Sequence, residues 1–310
     1  RNTWEHKKWN ITDFPEFELA ITIDRPELYY DFLQKDWTRF CHDYWKNNFL
    51  EHHTLSKKRV TRIYIGNQFC HNLFPRKELL FQVLEKALEN NLAVTLAFSY
   101  IRNHLLEEID ELLQELEVWC QSREKEAGKD QEEIIVNDWA MPILLQGKPH
   151  LKPVLGVLLN KRRKDVRLPY KHGIGNHVDS LAENNLNCGF YQDYLKNTFD
   201  IQRFEFESCG YKVTIPDGHH SLHLPFFQTN TSQYCTLYAV CRYGDRGKQK
   251  LPENCPRYCN KKVFLYPKHL KMVGRYNSLF GYDEKILWDE KQLQDYLEQG
   301  IDRIVVNVSL

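Results

Sequence analysis

Short runs of branched residues alternate with amphipathic segments along most of this 310-residue chain. That alternation limits the fold more than any other feature. Glu18–Ile23, Arg59–Ile65, Leu92–Phe98, Glu133–Val136, Val154–Leu159, Ile201–Glu207 and Arg303–Val308 all have strand character. Between them, Pro75 opens a helix through about Glu89, with apolar residues at 79, 80, 83, 84, 87 and 88, one helical face. His104–Cys120 repeats that spacing, and Phe190–Phe199 and Glu290–Glu298 are shorter helices. Tyr211–Ile215 and Leu222–Phe227 are further short strands, Gln121–Glu132 a charged loop or helix end, and Arg162–His177 a basic loop. Trp37–His53 is aromatic-rich and follows neither period.

Strands that alternate with helices pair in parallel through crossover helices. Several of these strands end directly in polar residues, namely Asn67-Gln68, Ser99, Asn137-Asp138 and Asn160-Lys161-Arg162. In a (β/α) barrel the C-terminal strand ends form the active-site face, so a TIM-type barrel accounts for both patterns. An open doubly wound sheet is disfavoured, because no Gly-rich phosphate loop follows the first strand. With 42% hydrophobic and 13% aromatic residues the chain can bury a large core. Its 42 basic and 42 acidic residues balance, which gives no support to non-specific nucleic-acid or membrane-surface binding. No apolar run reaches eighteen residues and no signal segment opens the chain, so no membrane role is expected. Nine cysteines, five of them scattered singly, suit reduced thiols and a cytoplasmic protein better than a secreted disulfide framework.

The other four cysteines crowd into one window. Cys235, Cys241, Cys255 and Cys259 are spaced Cys-x5-Cys, x13, Cys-x3-Cys, with a polar, glycine-containing loop between the pairs. Two close pairs joined in this way can fold back until four sulfurs meet. Either a tetrahedral zinc or a four-iron cluster accepts such a set, and spacing does not separate them. The domain division expected is therefore a barrel body over 1–230 and a cysteine-rich C-terminal extension over 231–310, which also supplies the closing helix and strand. His219, His220 and His223 are a poor metal set, since neighbours in a strand point to opposite faces.

Three strand-end motifs carry a resemblance. Ile63-Tyr64-Ile65-Gly66-Asn67-Gln68-Phe69-Cys70, Val136-Asn137-Asp138-Trp139 and Leu155-Gly156-Val157-Leu158-Leu159-Asn160-Lys161 resemble the collagenase-like peptidases of unknown catalytic type. Four late cysteines fit that pattern as well. The resemblance spans roughly Val60–Cys259. It implies a TIM-type barrel with a 4Fe–4S cluster on Cys235, Cys241, Cys255 and Cys259. It also implies an oxygen-independent modification, a hydroxylation, of a small molecule, peptide or RNA base. A remote cysteine, Cys41 or Cys70, stands as a replacement for one of the four. The stretch Pro225-Phe226-Phe227-Gln228-Thr229 departs from the family's His-Gly-Ala-like segment and leaves the substrate open.

Substrate contacts are expected from Asn67, Gln68, Asn137, Asp138, Asn160, Lys161 and Arg162, the last two for an anionic group. Arg203 and Glu205 lie two apart on a strand and share a face, where they must pair with each other, with other ions or with a ligand. Asx turns, a solvated basic loop and plain ion pairs are the structural alternatives for these residues. No single residue is marked as catalytic. Two other functions stay in view: a zinc-stapled peptidase or other hydrolase, and a non-catalytic iron–sulfur subunit working with a protein partner. Neither a His-Glu-x-x-His nor a Gly-x-Ser-x-Gly motif is present to favour the peptidase.

Overall fold

The computed structural model describes residues 4–10, 14–127, 131–167, 181–248, 250–252 and 254–308, with the side chains of 124–127 left aside. Seven strands appear in the first three quarters of the chain: β1 (Glu18–Ile23), β2 (Arg62–Gly66), β3 (Ala93–Ala97), β4 (Glu132–Val136), β5 (Leu151–Leu155), β6 (Glu205–Glu207) and β7 (His220–Leu224). Then come β8 (Phe226–Thr231), β9 (Phe264–Leu265), β10 (Met272–Arg275), β11 (Ser278–Tyr282) and β12 (Ile301–Val306). Eight strands form one sheet in the order β5-β4-β3-β2-β1-β12-β7-β6, every pair parallel. Its two edges nearly meet. Leu155 and Phe204 form a parallel bridge, and the Leu155 N–H donates to the Arg203 carbonyl at 3.0 Å. The protein is thus a parallel α/β barrel, nearly closed.

The two faces of each strand separate cleanly. Outward residues such as Leu19, Ile21, Ile63, Ile65, Val94 and Ile304 join the main core beneath the helices. Inward residues Ala20, Tyr64, Ala97, Ile135, Val154 and Val305 form a smaller cluster along the barrel axis. A period of two puts consecutive side chains on opposite faces, so branched runs without alternation are buried on both sides. Among the covering helices are Lys77–Glu89 and Leu106–Ala127. The latter runs on through most of the charged stretch expected as a loop or helix end. Trp37–Asn47 is also helical, capped by the Asp36 carboxylate on the Arg39 N–H.

Several expected strands differ, and Arg59–Ile65 and Ile201–Glu207 form strands only over Arg62–Gly66 and Glu205–Glu207. Strand β5 starts at Leu151 and stops at Leu155, where Gly156 N–H turns to the Val136 carbonyl at 2.8 Å. Tyr211–Ile215 pairs with no strand among the described residues. Leu222–Phe227 breaks at Pro225, which has no N–H for a ladder, and β8 begins a second sheet of order β8-β11-β10-β9, antiparallel. The basic loop expected over Arg162–His177 is described only to Arg167. This second sheet and the helix Thr236–Tyr243 carry the cysteine window, between the seventh and eighth barrel strands. The window is therefore an insertion rather than a terminal extension, because β12 must return between β1 and β7 to complete the ring.

Charge fills one layer of the barrel interior. Arg303 clamps Glu133 through two nitrogens at 2.7 and 3.0 Å and reaches Glu18 at 2.5 Å. Arg62 holds the other Glu18 oxygen at 2.9 Å, and the Thr95 hydroxyl donates to Glu133 at 2.8 Å. Burial alone would raise the Glu133 carboxyl, but Arg303 and Arg62 outweigh it and hold it at about 2.

Two buried histidines predict acid sensitivity. Burial lowers both His53 and His220 from 6.5 to about 4. The His53 ring donates to the Leu287 carbonyl at 2.8 Å while its other nitrogen accepts the Leu55 N–H at 3.0 Å. His220 accepts the Phe204 N–H at 3.2 Å. A proton on the accepting nitrogen breaks either bond. Because both folded values lie below the unfolded one, their stabilisation is complete above pH 6.5 and is lost as pH falls toward 4. Urea midpoints measured across that window should fall steadily, and His53→Gln should flatten part of the slope. A midpoint that stays level from pH 7 to 4 contradicts this.

Candidate metal centre and barrel mouth

The residues after β2 shape the mouth. Asn67 Oδ1 accepts the N–H groups of Phe69 and Cys70, each at 2.9 Å, and its Nδ2 donates to the Asp24 carbonyl at 3.3 Å. That Asx turn sets the loop bearing Cys70 against the end of β1. Gln68 Oε1 accepts from Asn137 Nδ2 at 3.2 Å. Asn137 also donates to the Phe98 carbonyl at 2.9 Å and accepts the Leu158 N–H at 3.0 Å, tying three strand ends together. Asp138 caps Ala140 N–H at 2.7 Å, and Asn160 donates to the Glu205 carbonyl at 3.0 Å. These side chains therefore organise the loops, as the structural alternative requires.

Gly156 makes that packing feasible. A Cβ there would stand 2.1 Å from Asn137 Oδ1. Gly156→Ala should consequently lower stability by about 1–3 kcal/mol, the range of overpacked sites, and loosen the mouth. Thermal melts of the variant check it, with an unchanged melt as the contrary result.

Two spaces open at the mouth. A cavity of about 30 Å³ on the barrel axis is lined by Asp24, Tyr64, Asn67, Gln68, Glu207 and His223, among others. Room of this size holds about two waters or one edge of a ligand. Beside it, a groove of about 470 Å³ runs between the barrel loops and β8. Asn137, Asp138, Asn160, Lys161 and Arg162 line the barrel side, and Gln228–Gln233 the other. Arg162 donates to Cys209 Sγ at 3.0 Å and to the Glu207 carbonyl, and its Nε has no partner. Lys164 pairs with the Glu207 carboxylate and donates to the Val157 carbonyl at 3.2 Å. Arg203 lies elsewhere, paired with Asp302 at 2.7 and 3.1 Å. Glu205 is fully buried inside the barrel.

The cysteines meet at the edge of the mouth. Cys70, Cys235, Cys255 and Cys259 line one enclosed cavity of about 20 Å³ with Leu73, Tyr238 and Tyr276. Cys235 sits at the N-cap of the helix Thr236–Tyr243, where its sulfur accepts the Tyr238 N–H at 3.3 Å. Burial raises this thiol, and the Tyr238 N–H at the helix terminus opposes that rise only in part. Arg275 donates to the Cys259 carbonyl at 3.3 and 3.2 Å, fixing the backbone of that cysteine. Burial pushes the Cys70 thiol up to about 12, and Cys235, Cys259 and Cys255 each add repulsion. Cys259 is likewise raised to about 12 by burial, with Cys255 and Cys235 contributing. Without a cation, then, these thiols stay protonated. Cys241, counted in the window set, lies on the last turn of its helix and does not line this cavity. Cys41 belongs to the helix Trp37–Asn47 and packs on the main core. Among the described residues no group of three or more His, Cys, Asp or Glu is arranged to hold a metal ion.

The three histidines disperse as expected: His219 is exposed and pairs with Asp302 at 2.9 Å, His220 stacks on Phe204, and His223 points into the barrel. Sequence reasoning missed Asp24, Glu207 and His223 as mouth residues. Asp24 follows Ile23 at the end of a strand, the same signal that marked Asn67. Glu207 shares the inward face of Arg203 and Glu205.

Fold and site together define a parallel α/β barrel whose strand-end mouth abuts a four-cysteine cavity. No protein-family model, no curated protein and no solved structure matches the chain. Among the described residues no helix is long and apolar enough to cross a membrane.

Proposed function

We propose that the chain is an iron–sulfur-dependent enzyme that modifies its substrate without molecular oxygen, the modification being a hydroxylation. The observation that carries this reading is the convergence of Cys70, Cys235, Cys255 and Cys259 on one cavity beside the mouth. Four thiols are the donor set of a 4Fe–4S cluster. A tetrahedral zinc accepts four thiols as well, and among the described residues no group of three or more His, Cys, Asp or Glu is arranged to hold a metal ion, so the choice of cluster rests on the motif resemblance to the collagenase-like peptidases. When bound, the cluster supplies electron transfer.

The chain's own residues do the rest. Asn67 holds the Cys70 loop, Cys235 stands at a helix N-terminus, and Phe69 lines the axial cavity. The groove receives the substrate, with Lys161 and Arg162 placed for a carboxylate or phosphate oxygen. A small ring, a peptide or an RNA base fits this description. Reduced ligand thiols call for a cytoplasmic setting.

Anaerobic purification with iron, sulfide and zinc analysis tests the reading. A brown protein with iron and acid-labile sulfide in equal amounts is expected. A colourless protein with stoichiometric zinc overturns it.

A further inference from the structure

The geometry points to His223 as the proton acceptor at the floor of the axial cavity, acting on an acidic O–H or N–H at the edge of a ring-bearing substrate. This rests on the mouth being the substrate site, as proposed above, but not on the cluster.

His223 is 2% exposed, yet it lines the axial cavity. Its Nε2 lies 2.5 Å from Glu205 Oε2, and Glu205 is wholly buried. The second Glu205 oxygen pairing is equally defined, for the Tyr64 hydroxyl donates to Oε1 at 3.1 Å. Tyr64 in turn accepts from Arg303 at 3.1 Å, and its ring meets the imidazole edge-on with centroids 5.6 Å apart. One ring nitrogen is therefore clamped by a carboxylate and the plane of the ring is held. Among the described residues, Nδ1 has no hydrogen-bond partner. It is also absent from the buried polar atoms that lack partners, so it retains contact with open space.

A carboxylate on one nitrogen selects the tautomer with the proton there and leaves the other nitrogen's lone pair free. Burial raises the Glu205 carboxyl, but the His223 contact and then the Arg303 charge outweigh it and hold it below its ordinary range. In the step proposed, a substrate O–H or N–H bond breaks, its proton moves to Nδ1, and the electron pair remains on the substrate oxygen or nitrogen. The imidazolium so formed faces the Glu205 carboxylate, so no further reactant is needed. Asp24 and Glu207 line the same cavity. The Asp24 Oδ1 is buried without a partner, which suits a ligand that brings hydrogen-bond donors. Glu205 and Tyr64 are positioning residues in this scheme.

The probe is 4-nitrophenol, a small ring with one acidic hydroxyl and a coloured anion. Difference spectra are taken at a pH well below the probe's own ionisation, against protein and probe measured separately. Wild-type protein should generate the phenolate band saturably, and His223→Gln should lose at least nine-tenths of it. Absence of a saturable band in the wild type, or a band that survives in the variant, overturns the assignment. A second measurement needs no substitution. Nitrogen NMR of histidine-labelled protein should show His223 protonated on Nε2 and bare on Nδ1. A proton on Nδ1 at neutral pH is the contrary result. Loss of iron leaves both readouts unchanged, so failure here and failure of the cluster reading are separable.

Discussion

Cys70→Ala should abolish stable cluster assembly, while Cys241→Ala should leave it intact. After anaerobic reconstitution, the expected iron content is about four per chain for the wild type and for Cys241→Ala, against less than about one for Cys70→Ala. The reason is positional. Cys70 shares its cavity with Cys235, Cys255 and Cys259, whereas Cys241 does not line it. Ionised together, the four sulfurs would repel one another, which adds to burial in holding the Cys70 thiol up. A cation that compensates four thiolates removes that repulsion, and the thiols release protons as it binds. The opposite result, with iron lost in Cys241→Ala and kept in Cys70→Ala, would return the ligand set to the window alone.

Arg303→Met should be the most destabilising single change in the barrel. Its guanidinium is 2% exposed and bonds to Glu133, Glu18 and Tyr64. Removing it leaves Glu133 buried with Arg62 as its nearest remaining cation, at 3.4 Å. Breaking a buried pair from one side typically destabilises by about 3–5 kcal/mol, whereas replacing both partners with apolar groups can be neutral. The melting temperature should accordingly drop by on the order of 10 °C for a chain of this size. The double variant Arg303→Met with Glu133→Leu should recover much of that loss. A drop of under about 1 kcal/mol for the single variant, the size of an exposed pair, would mean the network is solvated.

Barrel topology was legible because the strands are short and branched, and those at Arg62–Gly66 and Ala93–Ala97 are followed by helices of clear period. Glu18–Ile23 and Glu290–Glu298 coincide with their observed bounds. Val154–Leu159 was misplaced for a local reason. Its apolar run continues past the ladder into a turn, and only the approach of Asn137 to Gly156 shows where pairing stops. Tyr211–Ile215 has strand composition but no neighbouring strand to pair with among the described residues, and composition does not report neighbours.

The candidate site divides in the same way. Asn67, Asn137 and Asn160 were visible as polar strand ends, and their hydrogen bonds now show loop organisation. Arg203 and Glu205 were correctly placed on one face, but their partners Asp302 and His223 come from other strands.

By itself, the sequence determined the alternation of strands and helices, the face each strand buries and the presence of a thiol-rich window. All three depend on residues a few positions apart, where backbone geometry sets the outcome. Only the tertiary structure decided that β12 closes the ring beyond an inserted sheet, that Cys70 joins the late cysteines, and that Glu205 clamps His223. Those contacts join residues from 18 to 285 positions apart, and ring closure, which no local preference encodes, is what brings them together.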